Sequence, residues 1–93
     1  MNKTIYKYTL IVTDGRQVMQ LPKSHVIVHV AEQGPSPCFW AMVDPDEETA
    51  EFTFQVTGTG HPLPDGTDEE DFGYIGAAMC GPFVWHVWQL LTS

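Results

Sequence analysis

At 93 residues the chain has room for one domain (residues 1–93) with a modest core, because a domain of this size buries roughly 60–65% of the surface that its unfolded chain exposes. Four Lys and Arg against twelve Asp and Glu give a formal net charge of −8, which repels a phosphate backbone and disfavours direct nucleic-acid binding. All four cations, Lys3, Lys7, Arg16 and Lys23, stand in the first 23 positions; from residue 24 onward there are eleven carboxylates and no Lys or Arg.

This asymmetry makes a basic protein an easy partner and confines a small anionic ligand to the N-terminal region or to a cluster of backbone N–H groups. Two cysteines do not make a disulfide scaffold, and Cys38 and Cys80 sit in apolar runs that suit buried free thiols. No apolar run approaches the roughly 18 residues of a membrane span, and the first four residues lead into a strand pattern instead of a leader. The expectation is a cytoplasmic protein with no membrane contact. Eleven aromatic residues exceed what a small core readily absorbs, which points to a homo-oligomer or a binding groove.

Residues 4–12 alternate. Tyr6, Tyr8, Leu10 and Val12 share one face, and Ile5 and Ile11 on the other predict that its ends are covered too. Asp14-Gly15 then signals a tight hairpin to a short strand over 17–21 that stops at Pro22, so that Lys7 and Arg16 would share one basic hairpin. Residues 25–32 form the next strand. The loop from Gln33 to Pro37 closes a second hairpin onto 38–43, which is apolar on both faces and therefore central in a sheet. An acidic turn over 44–49 leads to 51–57, where Phe52, Phe54 and Val56 point inward and Glu51, Thr53, Gln55 and Thr57 face water or a ligand.

Residues 57–66 hold three glycines and two prolines and must be a loop. It is either a connection that turns the chain between sheets, or a loop whose glycine N–H groups line a ligand site beside His61. The run Asp68 to Asp71 places four carboxylates side by side, which predicts a mobile segment over 62–71. Residues 73–80 and 83–91 form a last hairpin about Gly81-Pro82, its second strand apolar on both faces and thus placed in mid-sheet or against another subunit. The fold class is all-β: a small antiparallel sandwich or barrel of about seven strands built from hairpins.

No reaction is written in these residues. His25 and His29 share a strand face, but their Cα atoms stand roughly 13 Å apart, too far to hold one ion. No serine lies in a nucleophile-elbow context, and carboxylate pairs are unselective among twelve acids. Neither catalytic residues, a metal nor a cofactor is assigned, and the chain reads as a non-enzyme. The candidate ligand-binding residues are Trp40 as a stacking surface, Lys7 and Arg16 for a phosphate, and Thr59, Gly60 and His61 from the loop.

Four blocks carry a resemblance: Ile5-Tyr6-Lys7-Tyr8, Trp40-Ala41-Met42-Val43-Asp44-Pro45, Gly58-Thr59-Gly60-His61-Pro62-Leu63-Pro64 and Phe83-Val84-Trp85-His86-Val87. In order and spacing they resemble a family of small bacteriophage and prophage proteins without an established activity. The resemblance implies a short phage accessory protein acting in the host cytoplasm, and for such proteins counter-defence is a common task. The first expectation is a sponge that sequesters a small nucleotide-derived immune signal without cleaving it. The alternatives are an acidic decoy of a host defence protein, or a minor virion or assembly component.

Overall fold

Alternating side chains give a strand one face to bury, and seven segments take that conformation: β1 (Thr4–Thr9), β2 (Gln17–Pro22), β3 (Val26–Gln33), β4 (Ser36–Val43), β5 (Thr49–Gly58), β6 (Phe72–Cys80) and β7 (Phe83–Leu90). The computed structural model describes residues 2–13, 15–63 and 71–91, with no helix among them. The strands form two antiparallel sheets, one in the order β1-β4-β3 and one in the order β2-β5-β7-β6. They pack face to face as a sandwich.

The core lies between the sheets. Phe39, Ala41 and Val43 of β4 meet Phe54 and Val56 of β5 and Val87 of β7, with Leu10 and Leu21 at the margins. Phe39 stacks on Phe54 with ring centroids 4.9 Å apart, and Tyr8 stacks on Phe39 at 5.1 Å. The two strands with apolar residues on both faces hold interior places, β4 between β1 and β3, and β7 between β5 and β6. Cys38 and Cys80 are buried free thiols.

Four expectations fail, each for a tertiary reason. β1 and β2 do not pair; β1 pairs with β4 and β2 with β5, so the segment around Gly15 passes from one sheet to the other. Asp14 itself lies outside the described residues. Lys7 and Arg16 therefore share no basic hairpin. Residues 59–71 do not link the sheets either, because β5 and β6 belong to the same sheet with β7 between them; the acidic positions Asp68, Glu69 and Glu70 lie outside the described residues. Ile5 and Ile11 are not covered, being 58% and 67% exposed. Finally, the polar face of β5 is wet only in its first half: Glu51 is exposed, but Gln55 and Thr57 are buried, and the Trp88 indole N–H on neighbouring β7 donates to Thr57 Oγ1 at 3.1 Å.

The sheets approach closely where β6 meets β3. The β6 ladder is interrupted between Tyr74 and Gly76, and Gly76, with φ of 153°, lies so near Val30 that a Cβ would stand 2.9 Å from that side chain. Only glycine fits both the dihedral and the gap. Opposite the loop-rich end, the β2–β3 and β4–β5 connections, which both pass between sheets, clasp each other. Lys23 N–H donates to the Glu48 carbonyl at 3.1 Å, Lys23 Nζ pairs with the Glu48 carboxylate at 3.1 Å, and the Ser24 hydroxyl and backbone N–H both donate to the Glu47 carboxylate. Those two donors hold the Glu47 carboxyl below its ordinary pKa.

This packing fixes the expected response to three substitutions. Gly76→Ala should destabilise the fold by about 2 kcal/mol through overpacking against Val30. Gly15→Ala, whose Cβ would meet nothing within 4 Å, should stay within about 0.5 kcal/mol. Urea unfolding of the pair checks this. Because the folded pKa of Glu47 is depressed, its contribution is present above the unfolded carboxylate pKa and is lost as pH falls. Glu47→Gln should therefore flatten the decline in unfolding free energy between about pH 5 and pH 3, read by denaturant titration at each pH.

Candidate functional site: a cleft at the loop end

The β1–β2, β3–β4 and β6–β7 connections and the first residues after β5 collect at one end of the sandwich, because β1, β3, β5 and β6 all run toward it. Two adjoining clefts open there. The first, of about 310 Å³, is lined by Val12 and Thr13 after β1, by Val56, Thr57, Gly58, His61 and Pro62, and by Trp85. The second, of about 450 Å³, lies among Gly34, Pro35, Cys80, Gly81, Pro82 and Phe83. Val12 and Trp85 border both.

A tight turn shapes the first cleft. His61 N–H donates to the Gly58 carbonyl at 3.1 Å, and Gly60, at the third position of the turn, has φ of 83°. These are the marks of a type II turn, which needs glycine there. The turn folds the His61 imidazole onto Gly58, where a Cβ would stand 2.5 Å from Nδ1 and 3.0 Å from the Trp85 ring. Gly58 pairs with Trp85 in the β5–β7 ladder, so the absent side chain makes room for two rings. His61 lies 6.1 Å from Trp85 between centroids, tilted by 56°, and Phe83 stacks on Trp85 at 5.5 Å. The result is a row of three rings, Phe83, Trp85 and His61, along a partly exposed wall.

The same turn is pinned from its other side. Thr59 Oγ1 lies 2.6 Å from His86 Nε2, and the Tyr74 hydroxyl lies 2.8 Å from His86 Nδ1. In a neutral imidazole one nitrogen donates and the other accepts, so one hydroxyl gives a proton to this chain and the other receives one. The arrangement has the outline of a nucleophile, a base and an orienting group. Its orienting group is a neutral phenol, however, which cannot stabilise an imidazolium as a carboxylate does. What the chain does is hold Thr59, and with it the turn, against the sheet.

Among the described residues, charge in the clefts is sparse. Neither Lys nor Arg lines them, and His61 is the titratable group of the first. In the second, burial pushes the Cys80 thiol up, away from the thiolate form that would make it a nucleophile or metal ligand.

Of the six residues expected to bind ligand, the structure brings together three. Thr59, Gly60 and His61 form the turn. Lys7 and Trp40 are cross-strand partners on the outer face of the three-stranded sheet, where the Lys7 ammonium donates to the Gln33 side-chain amide oxygen Oε1 and the Trp40 ring lies 5.5 Å from His29. Arg16 belongs to neither place; its guanidinium lies over the Phe72 ring, 5.1 Å from the centroid, on the four-stranded sheet. Sequence reasoning missed Trp85, Phe83 and Val12 as cleft residues. Inward parity marks Trp85 as core, and the signal against that reading is its place two residues into a strand that starts at a Gly-Pro turn.

A family model described as Domain of unknown function (DUF7352) matches residues 1–92. No curated protein and no solved structure matches the chain.

Proposed function

The chain belongs to this family of unknown function, and on that footing we propose that it is a non-catalytic binding protein that captures a small ligand by a planar ring in the Trp85 cleft. The observation that carries the reading is the Phe83–Trp85–His61 row, in which Trp85 and His61 line the cleft of about 310 Å³ and Phe83 lines the cleft that adjoins it; the first volume is within the range of about 300–1,000 Å³ usual for small-molecule sites. Base-type rings stack on such aromatic surfaces whatever their identity. Thr13, the His61 imidazole and nearby backbone groups supply the few polar contacts that fix orientation.

In its specific form the proposal is a sponge: a phage accessory protein that lowers the free concentration of a nucleotide-derived immune signal and leaves it intact. The resemblance supports the phage setting. The lining supports recognition through the base, with phosphates left toward solvent, since no cationic side chain of the clefts would meet them. A second reading draws on charge. Eleven carboxylates and no Lys or Arg from residue 24 onward suit an acidic decoy that occupies a basic groove on a host protein.

Native mass spectrometry of the protein mixed with nucleosides, mononucleotides and cyclic dinucleotides separates these readings. The sponge predicts an adduct with the mass of an intact ligand, weakened by about five- to 150-fold in Trp85→Ala, the loss of one base–aromatic stack of about 1–3 kcal/mol. No adduct with any of the set, or an adduct unchanged in Trp85→Ala, would remove the reading, and a cleaved product would remove its non-catalytic part.

A further inference from the structure

Among the described residues, nothing covers the outer face of the three-stranded sheet. Register places Ile5 of β1 and Val26 of β3 on either side of Met42 of β4, so that three apolar side chains form one row across all three strands. They are 58%, 51% and 36% exposed, and Val28, at the irregularity in β3, is 50% exposed beside them. The next row is Lys7, Trp40 and His29. Burying this much aliphatic surface is favourable, and a soluble protein seldom leaves it bare without a partner.

Two observations identify the occupant. The first is charge. On a chain of net charge −8, the outward positions of these strands (Ile5, Lys7 and Thr9; Cys38, Trp40 and Met42; Val26, His29 and Ala31) hold no carboxylate. This is a face on which two copies of so acidic a molecule can meet without setting acid against acid, whereas a strongly basic partner would find nothing there to pair with. The second is area. With Ile5, Val26, Val28 and Met42 exposed by a third to a half or more, Lys7 and His29 exposed and Trp40 half-buried, covering this face with its own copy would bury on the order of 1,200 Å² in all, the lower edge of stable interfaces.

We propose that this face is the interface of a two-fold homodimer. The two three-stranded sheets stack, Met42 of the central strand lies against the partner's Met42, and the Trp40 rings are covered from the side. A two-fold contact uses the same patch twice and closes, leaving no sticky surface to propagate. Both loop-end clefts stay open to solvent, so that each copy keeps its own site.

Sedimentation equilibrium of the wild type, Met42→Asp and Phe83→Asp tests this, at about 100 µM and at about 1 µM to bracket a micromolar Kd. The wild type should sediment as a dimer at the higher concentration. Met42→Asp, an exposed substitution whose folding is checked by its thermal transition, should sediment as a monomer, and Phe83→Asp at the loop end should remain dimeric. A monomeric wild type, whether alone or carrying a different protein, overturns the proposal, as does a dimer that survives Met42→Asp in folded protein. If Met42→Asp does not fold, Val26→Asp gives the same reading from the edge strand.

Discussion

The stack of Phe39 on Phe54 is the contact on which the rest depends. It joins the central strand of one sheet to an interior strand of the other, with both rings shut off from water. Tyr8 extends the stack to the edge strand β1. Because side chains alternate along a strand, fixing these rings inward fixes which residues of β1, β4, β5 and β7 face out. A slip of one residue would turn Val56 and Val87 to solvent and send Gln55, Thr57 and Trp88 into the core. The loop-end cleft and the bare outer face are both consequences of that one register.

Much of the architecture is legible in the sequence because alternation and apolar-on-both-faces runs are local signals. They place all seven strands within a few residues, put β4 inside its sheet and β7 either there or against another subunit, and mark hairpin loops at 33–37, two residues of which the structure gives to β4, and at 81–82. Pairing is less legible. Asp14-Gly15 looks like a hairpin turn, yet the burial of Tyr8 on Phe39 and of Met19 against the core draws β1 and β2 to different sheets. The polar alternation of β5 likewise suggests a wet face, and only the fold brings Trp88 beside it to satisfy Thr57. As for the site, the glycine-rich turn could be read from composition, because type II geometry and the seat of His61 both require glycine. The rings that complete it are harder to read, since inward parity marks Trp85 as core and only its place close after the Gly81-Pro82 turn speaks against that.

Aromatic side chains here do three different jobs, and position within a strand decides which. In mid-strand and facing inward, Phe39 and Phe54 are core. Facing outward in mid-strand, Trp40 and Trp88 cover sheet surface, the one beside His29 and the other over Thr57. At a strand end, Trp85 faces inward and packs against the rim of the core, which leaves its ring half-buried beside Phe83 and His61. That partial burial makes it a rigid, desolvated surface at low entropic cost, the property that stacking sites exploit.

The most direct test of this account is an NMR titration that follows the indole N–H signals of Trp40, Trp85 and Trp88 as nucleosides and nucleotides are added. Saturable movement of the Trp85 signal together with the His61 ring, with Trp88 unmoved, is the result predicted by a loop-end stacking site. Movement of Trp40 with Trp85 silent would contradict it and shift the binding surface to the outer face of the three-stranded sheet.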